Sequence, residues 1–88
     1  MKEVKLRIKN KLGLHARPAA LFVKTAAKFK SDVFIHRDSQ VVNGKSIMGV
    51  MMLAAEMGAE LVISANGDDA EDALKMISEL FERKFDEE

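Results

Sequence analysis

Hydrophobic and charged residues alternate at the start of the chain. In Lys2-Glu-Val-Lys-Leu-Arg-Ile-Lys9, Val4, Leu6 and Ile8 share one face and Lys5, Arg7 and Lys9 the other. That period of two predicts a half-buried strand. The period then lengthens. Over residues 16–29, Ala19, Phe22, Val23, Ala26 and Phe29 make one stripe at helical spacing, with Lys24 and Lys28 on the opposite side. Ser31-Asp32 interrupts the pattern. Val33–Arg37 reads as a strand, Asp38-Ser39 as a turn and Gln40–Asn43 as a short return strand, so the pair is a hairpin.

Asn43-Gly44 is the next break. Ser46 is placed to cap a short helix from Ile47 to about Leu53, which ends before Gly58. Leu61–Ser64 is a β-branched strand, and Asn66-Gly67 turns the chain. Asp68 or Asp69 caps a last helix reaching about Lys84, with Ala70, Ala73, Leu74, Ile77, Leu80 and Phe81 as its inward stripe. The order β-α-β-β-α-β-α predicts a two-layer α+β domain, its antiparallel or mixed sheet covered on one face.

Eighty-eight residues make one domain, 1–88, with a single core and no room for a deep, dry catalytic chamber. The absence of cysteine excludes a disulfide framework, a cysteine-based zinc site and a thiol nucleophile. The N-terminal alternation is unlike a secretory signal, and no stretch approaches a membrane span, so a cytoplasmic location is expected, with no membrane insertion. The net charge of zero conceals an asymmetry: residues 1–46 carry 11 Lys/Arg against 3 Asp/Glu, and residues 47–88 the reverse. One basic face, or simply a solvated surface, would follow. Dispersed basic residues and the lack of Trp and Tyr disfavour a nucleic-acid partner.

The candidate chemistry lies at the first strand–helix junction, Leu12-Gly-Leu-His-Ala-Arg-Pro-Ala-Ala20. Gly13 suffices for the turn, so a histidine and an arginine there are surplus to folding. With His15 as N-cap, Pro18 falls in the first turn, where its missing N–H has no intrahelical partner to lose. The N–H groups of Ala16 and Arg17 and the positive helix end then form an anion site beside the imidazole. That positive end disfavours imidazolium, and the Arg17 guanidinium suits phosphate oxygens. The set fits a transient phosphohistidine that needs no metal or other cofactor. A partly exposed capping histidine beside a surface arginine fits the spacing too.

The segment LGLHARPAA, with VNGKSIMGVMMLA further on, is very similar to the HPr family of bacterial phosphotransferase systems, and the resemblance covers essentially the whole chain. It implies an open-faced β-sandwich, a four-stranded antiparallel sheet with three helices on one face. It implies that His15 accepts a phosphoryl group, at Nδ1, from Enzyme I, which draws it from phosphoenolpyruvate. His15 then passes the group to sugar-specific IIA domains. Arg17 carries over as the family's active-site arginine and Pro18 as a positioning residue. Leu12 departs from the family, which often has a small polar residue there, and removes any side-chain help from that position. The protein is thus expected to be a phosphotransfer intermediate and not an independent turnover enzyme.

Asn43-Gly-Lys-Ser46 is not a nucleotide-binding loop, since that motif needs glycine where Ser39 stands. Ser46 is at least a helix cap. In relatives with Lys-Ser-Ile-Met-Gly-Val-Met, the resemblance implies that this serine is phosphorylated by an ATP-dependent HPr kinase/phosphorylase. The product signals carbon catabolite repression through the repressor CcpA. Ile47, Met48 and Met51 cannot share a core with Val50 and Leu53, and methionine suits surfaces that meet several partners. With Ala20, Leu21 and Lys24 of the first helix, and with Lys45, they form a candidate docking face, apolar at its centre and basic at its rim. His36 is expected to be a surface strand residue without a role, and no metal site is expected. His15 argues against the Crh branch, which lacks the histidine. The nitrogen-branch carrier and a purely partner-binding domain remain the rival readings. A small carrier with many partners is expected to be a monomer.

Overall fold

The computed structural model describes residues 1–87. Its elements are β1 (Lys2–Arg7), α1 (Ala16–Ala26), β2 (Asp32–Arg37), β3 (Gln40–Asn43), α2 (Ile47–Met52), β4 (Glu60–Asn66) and α3 (Ala70–Glu82), followed by one short turn of helix, Lys84–Asp86. The sheet has the order β1-β4-β2-β3, and every neighbouring pair is antiparallel. That resolves the antiparallel-or-mixed alternative. Among the described residues no helix is long and apolar enough to cross a membrane.

β4 lies between β1 and β2, and β2 lies between β3 and β4. Each of the crossovers β1-α1-β2 and β3-α2-β4 therefore joins two strands of the same direction across an inserted antiparallel one. Direct register partners share a face of the sheet. Val4, Ile63, Ile35 and Val42 are one such row, Leu6 and Leu61 another, and Val33 and Ala65 a third. These rows form the floor of the core. Ala19, Phe22 and Ala26 of α1, Val50 of α2, and Ala73, Ile77, Leu80 and Phe81 of α3 cover it, all buried. Phe22 meets Phe81 edge-on, with ring centroids 6.3 Å apart, and so joins α1 to α3.

This topology sorts the helix ends. The start of α1, the end of α2 and the end of α3 gather at one end of the molecule. The end of α1 and the starts of α2 and α3 gather at the other.

Six elements differ in extent from the sequence reading, β2 and α2 by a single residue each, at Asp32 and Met52. β1 stops at Arg7, although Ile8 stays buried and its N–H donates to the Ala59 carbonyl at 2.9 Å. α1 ends at Ala26, so Phe29 lies beyond it, half-buried. The N–H groups of Lys30 and Ser31 both donate to the Asp69 carboxylate at 2.9 Å, and this clamp draws the chain off the helical path. β4 extends to Glu60, which pairs with Arg7 of β1, and to Asn66, which pairs with Asp32 of β2. α3 ends at Glu82, two residues short of expectation.

The fold offsets part of the charge asymmetry. β1 comes from the basic half and lies beside β4 and α3 of the acidic half. Lys2 pairs with Glu71, Lys5 and Arg7 with Glu60, and Lys9 with Glu82. Among the described residues, Lys11, Arg17, Lys24, Lys28, Lys30, Lys45, Lys75 and Lys84 make no such pair. Three of these cations, Lys11, Arg17 and Lys24, lie on α1 or the loop that leads into it.

Candidate functional site

The loop from Ile8 to Leu14 fixes where the first helix begins. Asn10 is fully buried, and its side-chain amide donates to the Gly13 carbonyl at 2.9 Å. Gly13 has φ +69°, and a Cβ there would overlap the Ala55 carbonyl oxygen, so only glycine fits the turn. The next N–H, on Leu14, donates to that same carbonyl at 2.8 Å, and the Leu14 side chain is buried. The chain is thus pinned immediately before His15.

His15 occupies the N-cap position with extended backbone (φ −74°, ψ −173°). Its carbonyl accepts the first intrahelical bond, from the Ala19 N–H at 3.0 Å. Its side chain makes no cap hydrogen bond. The N–H groups of Ala16 and Arg17 have no partner among the described residues, as expected for an open helix start. Pro18 is buried against the core. Arg17 is exposed and lines an open groove with Lys11, Leu12, Asp86 and Glu87.

The imidazole turns instead toward the C-terminal segment. His15 Nε2 lies 3.0 Å from Glu87 Oε1, with the histidine side chain 37% exposed and the glutamate 14%. The Asn10 amide donates to the same oxygen at 3.1 Å. The hydrogen bond with His15 is the main reason that the Glu87 carboxyl lies below its ordinary range. Partial burial opposes it, while the Asn10 hydrogen bond and the charges of His15 and Arg17 assist it.

Glu87 reaches His15 through an unusual piece of backbone. Lys84, Phe85 and Asp86 all have positive φ, at 56°, 53° and 60°. Left-handed backbone costs a non-glycine residue about 1–2 kcal/mol, and it normally occurs singly. Phe85 holds the turn: it is buried, with its ring 4.9 Å from that of Phe81. The Arg83 guanidinium contacts Asp86 at 3.1 Å, and the N–H groups of Asp86 and Glu87 donate to the Arg83 and Lys84 carbonyls, each at 2.9 Å.

The other wall of the His15 site is the 53–56 loop, which forms a groove with Leu12, Leu14, His15 and Met51. Arg37 holds that loop. Its guanidinium donates to the Leu53 and Ala54 carbonyls at 3.0 and 3.2 Å and to Glu56 at 2.6 Å. The sequence reading missed both Arg37 and Glu87. Phe85 stands four residues after Phe81, and that spacing was the one available sign that the chain beyond α3 packs back.

The candidate docking residues separate into two groups. Ala20, Leu21 and Lys24 line a groove with Arg17, Phe85 and Asp86. Ile47, Met48 and Met51 are 42%, 73% and 42% exposed on α2, while Val50 and Leu53 are buried, as the spacing required. Lys45 does not lie free at the rim. Its ammonium donates to the Phe29 carbonyl at 2.8 Å, beyond the end of α1 and far from His15. Ser46 is at that far end too, and its hydroxyl accepts the Gly49 N–H at 3.1 Å. Asp69, the N-cap of α3, makes no side-chain cap bond, because its carboxylate accepts from Lys30, Ser31 and the Ser31 hydroxyl instead. His36 is half-buried, with Nε2 at 2.9 Å from the hydroxyl of buried Ser64.

Comparison with known proteins agrees with this arrangement. The family model for the phosphotransferase-system HPr component phosphorylation site matches residues 2–83. The phosphocarrier protein HPr of Treponema pallidum is 49% identical over 83 residues, covering 94% of each chain. The HPr-like protein Crh of Bacillus subtilis is 47% identical, covering 89% of this chain and 92% of its own. The crystal structure of an HPr from Thermoanaerobacter tengcongensis superposes with a TM-score of 0.96 at 56% identity, covering 100% of this chain and 99% of that one. An HPr dimer from the same organism gives 0.78 at 55% identity, covering 97% and 98%. The open sheet, the three helices and the histidine at the start of the first helix belong together: the chain is a member of the HPr family of phosphotransferase-system phosphocarriers.

Proposed function

We propose that residues 1–88 act as one cytoplasmic carrier domain in which His15 takes a phosphoryl group from phospho-Enzyme I and delivers it to sugar-specific IIA domains. One observation carries this reading. The His15 side chain makes no cap bond, beside Arg17 and two backbone N–H groups that no described residue uses. Phosphoryl oxygens would take donors from the N–H groups of Ala16 and Arg17 and from the Arg17 guanidinium. The carrier holds one phosphoryl group at a time and does not itself turn over a small molecule.

The uncompensated cations of α1 and the exposed Ile47, Met48 and Met51 suit brief docking to acidic partners. Ala20, Leu21 and Lys24 extend that face. Lys45 contributes at its edge only after giving up the Phe29 carbonyl. One chain contains every residue invoked, so the carrier is proposed to work as a monomer. Ser46 is proposed as the site of an HPr kinase/phosphorylase, its product read by a CcpA-type repressor. A phosphate there sits at the α2 start, at the opposite end from His15, so it would slow transfer by altering docking rather than by touching the imidazole.

Intact mass after incubation with phosphoenolpyruvate and a bacterial Enzyme I tests the central claim. One added phosphoryl group, stable in alkali, labile in acid and absent from His15→Ala, is expected. No gain beside an active control would leave a nitrogen-branch donor or a binding-only domain. For Ser46, no mass gain with the kinase and ATP would remove the regulatory claim.

A further inference from the structure

The C-terminal turn gives His15 a fixed partner. The Glu87 carboxylate accepts hydrogen bonds and donates none, so the ring nitrogen that faces it must bear hydrogen. That nitrogen is Nε2, at 3.0 Å. A neutral imidazole has one N–H, which leaves the lone pair on Nδ1.

We propose that Glu87 is a positioning residue for His15, holding Nε2–H so that the neutral ring keeps its nucleophilic lone pair on Nδ1. The proposal rests on phosphoryl transfer at His15. Its consequence is a relay in which the carrier moves no proton. The Nδ1 lone pair forms the P–N bond while the bond from phosphorus to the donor breaks, and the donor keeps that electron pair. The ring then carries Nε2–H and a positive charge, which the adjacent carboxylate opposes. When an acceptor attacks phosphorus, the P–N electrons return to Nδ1 and the neutral ring departs, still holding Nε2–H.

The surroundings of Glu87 indicate a built contact. Its Oε1 also accepts from Asn10, whose fully buried amide is itself tied to the Gly13 carbonyl. The Asn10 amide nitrogen is committed to both Gly13 and Glu87, while its oxygen has no partner among the described residues. One side chain therefore links the loop that delivers His15 to the segment that delivers Glu87. Three consecutive left-handed residues, two of them exposed, bring Glu87 to that point. Such strain persists where surrounding contacts over-determine it.

The test uses the full chain with 15N-labelled imidazole nitrogens, observed at a pH above the ring's titration, and compares wild type with Glu87→Ala and Glu87→Gln. Wild type is expected to show His15 almost wholly as the Nε2–H tautomer. Glu87→Ala should raise the Nδ1–H share severalfold and slow phosphoryl acceptance on the order of tenfold, the low end of what a metal-ligating histidine loses with its orienting partner. Glu87→Gln, which can still accept through its amide oxygen, should restore the tautomer and most of the rate. An unchanged tautomer ratio in a folded Glu87→Ala protein overturns the proposal, as does equal slowing by both variants. The nitrogen spectra need no donor protein, so failure of Enzyme I to phosphorylate the wild type would be recorded separately, against the carrier reading.

Discussion

The starts of α1 and α2 carry side chains of the same formal kind and use them differently. Ser46 and His15 both stand at N-cap positions with extended backbone. The Ser46 hydroxyl closes its own helix by accepting the Gly49 N–H, whereas the His15 ring makes no such bond and faces Glu87. A side chain committed to its helix contributes to stability. One turned away leaves both itself and the helix's first N–H groups open to a ligand. Position at a helix start therefore does not distinguish structure from chemistry, but the partner of the side chain does.

The largest expected effect breaks the comparison at its chemical end. His15→Ala should abolish phosphorylation by phosphoenolpyruvate and Enzyme I completely. Because no cap bond is lost, its midpoint of thermal unfolding should stay within a few degrees of wild type, about what 0.5 kcal/mol produces in a domain of this size. A variant that loses both label and fold would show that His15 belongs with Ser46 as a structural cap.

The next effect acts on how His15 is delivered. Gly13→Ala forces a Cβ against the Ala55 carbonyl at a left-handed position. A loss of roughly 2–4 kcal/mol in denaturant unfolding is expected, from overpacking and backbone strain combined. The damage should be confined to the His15 end. Amide exchange there should accelerate, while the Gly49 amide, capped by Ser46, should hold its protection up to the lowered global stability.

Ser46→Ala approaches the comparison from the other side. Loss of the cap should cost about 1 kcal/mol. His15 and Ser46 lie at opposite ends of the helical layer, so the rate at which His15 accepts a phosphoryl group should change less than twofold. A stability loss near zero would mean that the hydroxyl bond to Gly49 is not formed in solution.

Local chemistry explains what could be read from the chain alone. Val50 and Leu53 inward with Ile47, Met48 and Met51 outward follows from helical spacing alone, and the structure has that arrangement. So do the stripe of α3 and the hairpin of β2 and β3. The junction at Gly13 and His15 was legible because turn, proline and helix start are consecutive in sequence. Glu87 was not, because it meets His15 across 72 positions through a turn that no propensity favours. Arg37 was hidden for the same reason, as its partners Leu53, Ala54 and Glu56 come from another element. The bond from Lys45 to the Phe29 carbonyl was hidden too, because a charged residue beside a helix start reads as solvated and its partner lies past the end of another helix.

The third helix start supplies the smallest effect, and it appears only in acid. Asp69 occupies the N-cap of α3 but directs its carboxylate to the Ser31 hydroxyl and to the N–H groups of Lys30 and Ser31. Those hydrogen bonds, with the Ser31 hydroxyl first, lower its pKa from the ordinary 3.8 to about 2. The folded protein therefore keeps this group charged at acidities where the unfolded chain has already bound a proton. Its contribution is complete above pH 3.8, declines as pH falls toward 2, and is absent below that. Glu87 and Glu56 are also lowered and act in the same direction, beginning from their ordinary value of 4.5. Asp69→Asn should flatten the stability curve between about pH 4 and 2 and leave the slope that sets in from 4.5, from the two glutamates, in place. Glu87→Gln should reduce that upper slope instead. Denaturant midpoints measured across this range for the two variants would then separate a carboxylate that clamps the fold from one that faces His15.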